Sequence, residues 1–497
     1  METQKIRKVV IAGGGTAGWI TAAALSRLLG PLLEVTLVES DDIGTVGVGE
    51  ATIPTHRTFH HLMGIDERDF MRATKATFKL GIAFENWGGV GDRYIHSFGQ
   101  VGKPSWMGEF YHIWMRARER GIGEHLDAYC LELQAAEAER FYTSEKSGLN
   151  FAYHLDASLY ARFLRSFSEK KGVKRVEGLI EQVEQDGETG FLTALKLKSG
   201  ERIEGDFFID CTGFRGLLIE QTLKTGYEDW TSWLPTDSAL AVQTKSVGPA
   251  IPYTRAIAHH AGWQWRIPLQ HRVGNGLVFC SENMTPDEAH AYLMSHVEGE
   301  ALTEPRLIRY KTGRRKKVWN RNCVALGLSS GFVEPLESTS IHLIQVGATR
   351  LVQQFPFAGV TEVQANHYNA QADRELEKIR DFIVLHYKLT ERDDSDFWRA
   401  RRDMEIPESL AQRIALFRDG GLVYQASDDL FRVDSWLQVM MGQRLAPARY
   451  HHMGHLMTDE QLKTALGGLQ AGIARAVSQM PSHQEFIDRY CAAPETV

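Results

Sequence analysis

The chain has 497 residues, of which 43% are hydrophobic and 24% charged, with 45 glycines and 15 prolines. At the usual size of roughly 150 residues per domain, this globular composition leaves room for two to four domains and excludes disordered, collagen-like and coiled-coil chains. Lysine and arginine (56) are outnumbered by aspartate and glutamate (63), so the net charge is −7. Because nucleic-acid binding needs concentrated positive charge, we expect no nucleic-acid partner.

The cysteines and the apolar segments indicate where the protein works. Five cysteines are widely separated and never form a C-x-x-C pair, which disfavours a disulfide framework and a tetrahedral zinc site. The first residues lack the apolar core and cleavage site of a signal peptide. The longest apolar stretch, residues 9–25, contains four glycines, which is atypical of a membrane span. We therefore expect a cytoplasmic protein with no membrane partner.

The first elements in chain order predict a dinucleotide site. Residues 8–12 are typical of a β-strand, residues 13–18 of a glycine turn, residues 19–29 of a helix, and residues 33–38 of a second strand that is followed by Glu39. In such a βαβ unit the glycines permit a tight turn, let the backbone approach a pyrophosphate and let helix and strand pack closely, while the acid accepts from ribose hydroxyls. The predicted nucleotide-binding residues of this unit are Gly13, Gly15, Thr16, Ala17, Gly18 and Glu39.

A later segment, residues 207–213, is typical of another strand that ends in an acid and a small-residue turn, as expected of a strand returning to the nucleotide. The pattern alone leaves NAD and FAD open, and an ordinary glycine-rich loop is the structural alternative. Only one G-x-G-x-x-G occurs, so no second, NADPH-binding Rossmann domain is indicated. If the ligand is FAD, its electrons come from another protein.

Beyond this unit, helices and short strands alternate to about residue 220, a mixed stretch follows to about 345, and the remainder is mostly helical. Residues Leu376, Ile379 and Ile383 share one helical face, and Pro407 begins another helix with an apolar face. We predict an α/β protein with a discontinuous body over residues 1–345 and a mostly helical module over residues 346–497.

Three further segments carry a resemblance to a known family. They are GVGEAT at residues 47–52, WQWRIP at 263–268 and GFVEPLESTS at 331–340. Together with Lys79 and the glycine fingerprint, they resemble the flavin-dependent tryptophan halogenases, from residue 5 to about residue 345. The W-x-W-x-I-P string is the most specific of them, and its residues are Trp263, Trp265, Ile267 and Pro268.

The resemblance implies an FAD-binding, Rossmann-like body of the single-component flavin monooxygenase type, with an added helical module that covers an aromatic substrate. It implies that reduced FAD is supplied in trans by a separate NAD(P)H-dependent flavin reductase, and that chloride or bromide is converted to hypohalous acid. Matching positions add four residues to the FAD site: Gly49, Ile180, Leu328 and Ile341. The two tryptophans would lie near the flavin, with a purely structural role as the alternative.

Taken alone, Lys79 is typical of a snorkelling surface lysine and Glu337 of a surface or capping carboxylate. The resemblance implies instead that Lys79 aims the hypohalous acid or forms a haloamine with it. Glu337 would lie across from Lys79 and favour proton loss from the ring, and Ser338 would support both. The backbone amides of Thr339 and Ser340 would bind the halide, although the family usually has glycine at the second position.

For the substrate, His96 and Phe98 match a family segment whose two rings sandwich an indole. Core packing is the alternative for both residues. In the helical module, Trp436 and Leu437 stand where enzymes that act on free tryptophan carry a tyrosine pair. Because neither side chain can hold a carboxylate, we predict an indole-type substrate other than free tryptophan.

Several alternatives remain open from the sequence. A flavin-dependent aromatic hydroxylase would share the fold, but Gly327-Leu328 stands where many such enzymes have G-D. An FAD-binding sensor or an RNA-binding protein would use the basic run at 314–317, which could also contact a reductase. His451 and His455 are spaced for a metal on a helix but lack a third ligand, so we predict no metal site. The oligomeric state, a homodimer included, is not determined.

Overall fold

The computed structural model describes residues 5–43, 49–103, 108–144 and 148–494. Its strands are β1 (Lys8–Ala12), β2 (Glu34–Glu39), β3 (Gly49–Ala51), β4 (Thr77–Lys79), β5 (Gly81–Glu85), β6 (Arg93–Ser97), β7 (Ala152–Asp156), β8 (Lys174–Glu177), β9 (Ile180–Gln185), β10 (Leu192–Leu197), β11 (Arg202–Glu204), β12 (Phe207–Asp210), β13 (Tyr227–Asp229), β14 (Ser238–Thr244), β15 (Thr254–His259), β16 (Gly262–Pro268), β17 (Val273–Phe279), β18 (Arg306–Arg309), β19 (Gly313–Arg315), β20 (Trp319–Asn320), β21 (Cys323–Ala325) and β22 (Gly331–Phe332). Its α-helices are α1 (Thr16–Leu28), α2 (Thr55–Met63), α3 (Glu67–Thr74), α4 (Phe110–Glu119), α5 (Leu131–Glu137), α6 (Ala157–Glu169), α7 (Pro286–His296), α8 (Ser340–Gln353), α9 (Glu362–Lys388), α10 (Asp396–Asp403), α11 (Glu408–Gly420), α12 (Val433–Gly442), α13 (Asp459–Ser478) and α14 (His483–Tyr490).

The predicted α/β body is confirmed. A six-stranded sheet has the order β20-β21-β12-β1-β2-β8, and β1 pairs in parallel with both β2 and β12. Its central strand is apolar and buried on both faces, as expected when helices and a second layer cover a parallel sheet. Helix α1 packs against α6 and α8, while the small sheet β11-β10-β9 covers the opposite face through the cluster that joins Val10 and Phe208 to Leu195.

The turn between β1 and α1 requires glycine for steric reasons. Gly13 has a φ of +105°, and a Cβ there would lie 2.3 Å from the Cys211 carbonyl oxygen. A Cβ at Gly18 would lie 1.9 Å from the Gly13 carbonyl oxygen. At Gly15, by contrast, a Cβ would meet no atom within 4 Å. The outer two glycines therefore close the turn, and the middle one leaves space in front of α1.

A second, seven-stranded sheet has the order β18-β14-β17-β16-β15-β5-β6, and only β15 and β5 among its neighbours run parallel. Its strand β16 carries the W-x-W-x-I-P string. A three-stranded sheet, β3-β7-β4, lies beside it and carries Lys79 on β4. Strands β13, β19 and β22 form the remaining sheet. The Thr77 hydroxyl donates to the Pro268 carbonyl at 2.8 Å, which joins the Lys79 strand to the tryptophan strand.

The secondary-structure elements described after residue 353 are all helices, as predicted. The apolar face expected on α9 is buried, and so is the apolar face of α11, whose N-cap is Pro407. Helix α8 runs through residue 345, where the division between body and module was expected. Helix α13 packs on α4 and α5 of the body, and one hydrophobic cluster includes both parts.

The structure shows which residues the arginines of the basic run contact and where the cysteines lie. In the basic run, Arg314 contacts Glu228, Asp373 and Glu377, and Arg315 contacts Glu220. These arginines therefore hold the body to α9 and to the segment after β12. The five cysteines are free and buried. Within the described ranges, no helix combines the length and apolarity needed to cross a membrane.

Replacing Gly13 tests the steric account of the turn. Gly13→Ala is expected to lower Tm by several degrees, because an L-residue there is strained by its positive φ and overlaps Cys211, a cost above about 1 kcal/mol. Gly15→Ala is the matched control, since Gly15 has a φ of −73° and open space at its Cβ. Thermal unfolding of both variants compares them, and equal Tm values would contradict the account.

Candidate active site

A cavity of about 350 Å³ lies where the six-stranded sheet, β16 and α8 meet. Its lining brings together most of the residues that the sequence analysis assigned to a flavin and to the tryptophan motif. These are Gly15, Thr16, Ala17, Gly49, Trp263, Trp265, Ile267, Leu328, Ser338, Ser340 and Ile341. Gly13 and Gly18 shape the adjoining turn. Gly47 and Val48 of the GVGEAT segment lie outside the described residues.

The residues around α1 fit an FAD molecule. Gly15 is the N-cap of α1 and no side chain caps the helix, so the amides of its first turn lack intrahelical acceptors and face the cavity end with partial positive charge. Glu39 lies at the end of β2, where it contacts Arg175 and accepts from Trp19 Nε1 at 3.3 Å. Ile180 begins β9, just after Gly178, whose N–H donates to the Glu39 carbonyl at 2.8 Å.

Glu39 and Ile180 thus stand beyond the turn, away from the cavity lining. A dinucleotide would extend from the cavity, across the α1 amides, toward these two residues. Lining residues of the cavity would then hold the flavin ring, and Glu39 and Ile180 would hold the adenosine end.

Lys79 is fully buried, so the snorkelling alternative is wrong. Its Nζ donates to Ser338 Oγ at 2.8 Å and to the Thr52 carbonyl at 3.1 Å, and it lies 5.2 Å from the centre of the Phe98 ring. Burial lowers the pKa of Lys79 to about 7, although the negative charge of Glu337 acts to raise it. The ammonium is therefore easily converted to an amine near neutral pH.

Glu337 is also buried, and two histidines hold it. His96 Nδ1 lies 2.9 and 3.0 Å from its two carboxylate oxygens, and His386 Nε2 lies 2.9 Å from one of them. Burial alone would raise the pKa of Glu337, but the charge of His96 and the hydrogen bond from His386 outweigh it and lower the pKa to about 2. The carboxyl is therefore ionised, and the interpretation as a surface carboxylate is wrong.

The sequence analysis missed His386. Its Nδ1 contacts the Phe382 carbonyl at 2.8 Å, and an acceptor-only carbonyl requires a proton on that nitrogen. Its Nε2 faces a carboxylate at 2.9 Å, although the ring is not aligned for an ideal hydrogen bond. The only sequence signal was a single histidine in the apolar run FIVLHY of α9.

Glu334, three residues before Glu337, was quoted in the motif but given no role. It is fully buried and accepts from the Thr236 hydroxyl, from Trp263 Nε1 at 3.0 Å and from the Tyr387 hydroxyl. Burial raises its pKa. Adjacent residues of α9, His386 and Tyr387, therefore hold two carboxylates on either side of Pro335 and Leu336.

The motif continues into the start of α8. Ser338 has a left-handed φ of 58°, a conformation uncommon in a residue other than glycine and typical of functional turns. Thr339 is the N-cap and Ser340 is the first helical residue. Because Ser338 makes the turn, serine at position 340 is accommodated without strain. Thr339 Oγ1 is buried without a hydrogen-bond partner in the described part of the chain.

Aromatic rings pack beside His96. Phe382 stacks on Phe431 at 3.8 Å and meets the edge of Trp436 at 4.9 Å, and its centroid lies 5.5 Å from that of His96. Trp436 is buried, and its Nε1 has no hydrogen-bond partner among the described residues. Phe98 faces Lys79. The structure therefore places both predicted sandwich residues next to the buried charges, and adds Phe382 and Phe431.

Comparison with known proteins decides the family. The model of the tryptophan halogenase family matches residues 8–459. The chain belongs to the tryptophan halogenase family. It is 34% identical to tryptophan 7-halogenase RebH of Lentzea aerocolonigenes, over 97% of this chain and 98% of RebH. It is 54% identical, with a TM-score of 0.98, to the structure of Xcc4156, a flavin-dependent halogenase from Xanthomonas campestris, over 99% of this chain and all of that one.

The structure of BrvH, a flavin-dependent halogenase from Brevundimonas sp. BAL3, is also similar, with 44% identity and a TM-score of 0.94 over 99% of this chain and 100% of that chain. The resemblance stated from the motifs is confirmed, and it extends beyond residue 345 into the helical module. The protein is thus an enzyme that uses FAD and halide to halogenate tryptophan-type substrates. Enzymes of this family depend on a separate flavin reductase, and the hydroxylase, sensor and RNA-binding alternatives are wrong.

Lys79→Met is expected to abolish halogenation and yet stabilise the fold. Folding lowers the pKa of Lys79 from its ordinary value of 10.5 to about 7, so folding the protonated lysine costs free energy, a cost that falls as pH rises through this window. The free energy of unfolding of the variant relative to wild type should therefore be most favourable at and below pH 7, should fall as pH rises, and should level off by about pH 10.5. FAD binding should persist, because Lys79 does not contact the α1 turn.

Denaturant titrations of both proteins across this pH range, together with a product assay, make the measurement. The wild-type protein at high pH is the internal control. A stability difference that does not change with pH, or an active variant, would contradict the account.

Proposed function

We propose that this enzyme halogenates an indole-type aromatic other than free tryptophan, with chloride or bromide as the halide. The observation that carries the proposal is the apolar end of the substrate region. Trp436 and Leu437 are both buried, and neither offers a donor for a carboxylate apart from the single indole N–H of Trp436. A zwitterionic amino acid would lose its hydration there without replacement contacts.

Arg413 lies beside Trp436, with its guanidinium carbon 4.5 Å from the ring centre. It is already neutralised by Asp429, whose side chain is 3% exposed, and it donates to the Tyr424 carbonyl at 2.9 Å. Its charge is thus paired within the protein, which supports the proposal that Arg413 is not an anchor for a substrate carboxylate.

Each group at the site has a task that suits its position. Bound reduced FAD, with oxygen and halide, supplies hypohalous acid. Thr339 and Ser340 present backbone amides at the positive end of α8, which suits a halide. Lys79 Nζ, fixed by Ser338 and Thr52, directs the halogen toward a ring held against Phe98. The aromatic wall excludes water from a reagent that would otherwise be consumed.

The proposal is tested with purified protein, a flavin reductase, NADH and either halide, using a panel of indoles and mass spectrometry of the products. Indole is expected to show a kcat/KM at least about tenfold above that of free tryptophan, since each missing charge-assisted hydrogen bond is worth about 1.5–3 kcal/mol. Without polar anchors, indole should react at a carbon of its pyrrole ring, the intrinsically most nucleophilic part.

A 3-substituted indole without charge serves as a matched control for the bulk of the amino-acid side chain. A clear preference for free tryptophan, or substitution only on the benzene ring of indole, would overturn the proposal. The first outcome would show that other residues anchor the substrate, and the second that the ring is firmly oriented.

The reductase dependence gives a separate prediction. Because the chain has a single glycine fingerprint, the isolated protein should not reduce bound FAD with NADH or NADPH at a catalytic rate. Stopped-flow absorbance at the flavin band measures this, with added reductase as the positive control. Rapid bleaching without reductase would contradict it.

A further inference from the structure

The cavity beside α1 contains an acid that no basic group of the described residues balances. Three acidic or basic residues line the described part of this cavity: Glu50, Arg350 and Glu375. Arg350 donates to Glu375 at 2.8 Å, so the charges of these two residues balance each other. Glu50 is the middle residue of β3 and is half-buried. Burial is the single cause that shifts its pKa, from 4.5 to about 7.

The elements around β3 do not supply a partner for Glu50. Strand β3 pairs with β7 and packs against β16 and β17, and α1 and α6 line the cavity beside it. The titratable side chains of these elements that are not exposed are bonded to other residues: Tyr153 to Glu67, His154 to Thr77 and Thr254, Asp156 to Arg272, Tyr160 to His60, Arg165 to Glu39 and Glu169, and Arg266 to Glu298. The remaining ones, Arg27, Arg162 and Glu169, are exposed.

An acid in these surroundings is about half protonated at neutral pH. The residues that α1 and α6 contribute to the lining are uncharged: Thr16, Ala17, Ala157, Ser158 and Ala161. The cofactor that suits this cavity carries an ionised diphosphate, and the halide is a second anion. A carboxylate on Glu50 would repel both anions in surroundings of low polarity, whereas a neutral carboxyl would not.

We propose that Glu50 makes FAD binding depend on pH: as an uncharged acid it admits the anionic cofactor, and as a carboxylate it repels the cofactor. This role does not depend on which aromatic is halogenated, so it goes beyond the proposed function. It also gives a task to the acid of the GVGEAT segment, to which the sequence analysis assigned none.

The direction of the pH dependence follows from linkage. Negative charge on bound FAD favours the protonated form of Glu50, so the pKa of Glu50 is higher in the complex than in the free protein, and binding takes up a proton. FAD affinity is therefore greatest below pH 7 and falls as pH rises through the pKa of Glu50 in the free protein. Oxidised FAD does not change its own charge in this range, because its diphosphate is already ionised and its ring is neutral.

The main experiment measures the dissociation constant of oxidised FAD, from the change in its fluorescence, between about pH 6 and about pH 8.5. For wild type the constant should rise about tenfold between about pH 7 and about pH 8.5. Glu50→Gln keeps the size and the hydrogen-bonding groups of the neutral acid, so its dissociation constant should stay near the low-pH value of wild type throughout. Glu188→Gln, at an exposed position, removes the same charge and should follow wild type.

Lys79 is a second group that could produce the same trend. Its pKa is also about 7, and it loses positive charge as pH rises. The Lys79→Met variant separates the two residues. It should retain the wild-type pH dependence if Glu50 is responsible, and it should lose that dependence if Lys79 is responsible.

A measurement on wild type alone keeps the test independent of how the variants fold. Calorimetric titration with FAD in buffers of different ionisation enthalpy should show proton uptake above pH 7 that disappears below about pH 6. Circular dichroism establishes folding for each variant.

Four results would overturn the role of Glu50. They are a wild-type dissociation constant that does not change across this range, FAD binding without proton uptake, a pH dependence that Glu50→Gln retains, and loss of FAD binding by folded Glu50→Gln at every pH. None of these results bears on the proposed function, which is tested by the products formed from indoles.

Discussion

The burial of opposite charges in one cluster is the constraint on which the rest of the structure depends. Lys79 and Glu337 are 0% and 1% exposed, and an unpaired charge at such a depth would cost several kcal/mol. Each is stabilised only by groups from other segments: Ser338 and Thr52 for Lys79, and His96 and His386 for Glu337. Strands β4 and β6, helix α9 and the turn before α8 must therefore meet before either charge is tolerated.

Helix α9 connects the helical part of the chain to the reactive centre. Through His386 and Tyr387 it holds Glu337 and Glu334, and Glu334 in turn accepts from Trp263. One short segment between these carboxylates thus fixes the tryptophan strand, the turn at Ser338 and the start of α8. Residues of the helices after residue 345 and of the α/β body belong to one hydrophobic cluster, which is consistent with this coupling.

The flavin side and the substrate side of the site offer different kinds of contact. At the start of α1, the glycine turn and the uncapped first-turn amides offer close backbone approach and partial positive charge, features that suit a phosphate. On the substrate side, the rings of Phe98, Phe382, Phe431 and Trp436 offer apolar area with little fixed charge. Such a surface suits a flat apolar ring, for which shape matters more than ionic contacts.

The sequence by itself determined the α/β body, the glycine turn and the family, because these signals are carried by contiguous residues. A Cβ is excluded at Gly13 by the backbone of Cys211 and at Gly18 by the carbonyl of Gly13, and the spacing of these glycines predicted the turn. Lys79, Glu337 and Trp263 were identified through motifs.

Only the tertiary structure decided which residues hold these side chains in place. His96 meets Glu337 across 241 residues, and a lone histidine in the apolar run of α9 looks the same in sequence whether it packs against leucine or against a buried carboxylate. Burial turns such a residue into an obligatory partner of a charge, and burial is a property of the packed fold.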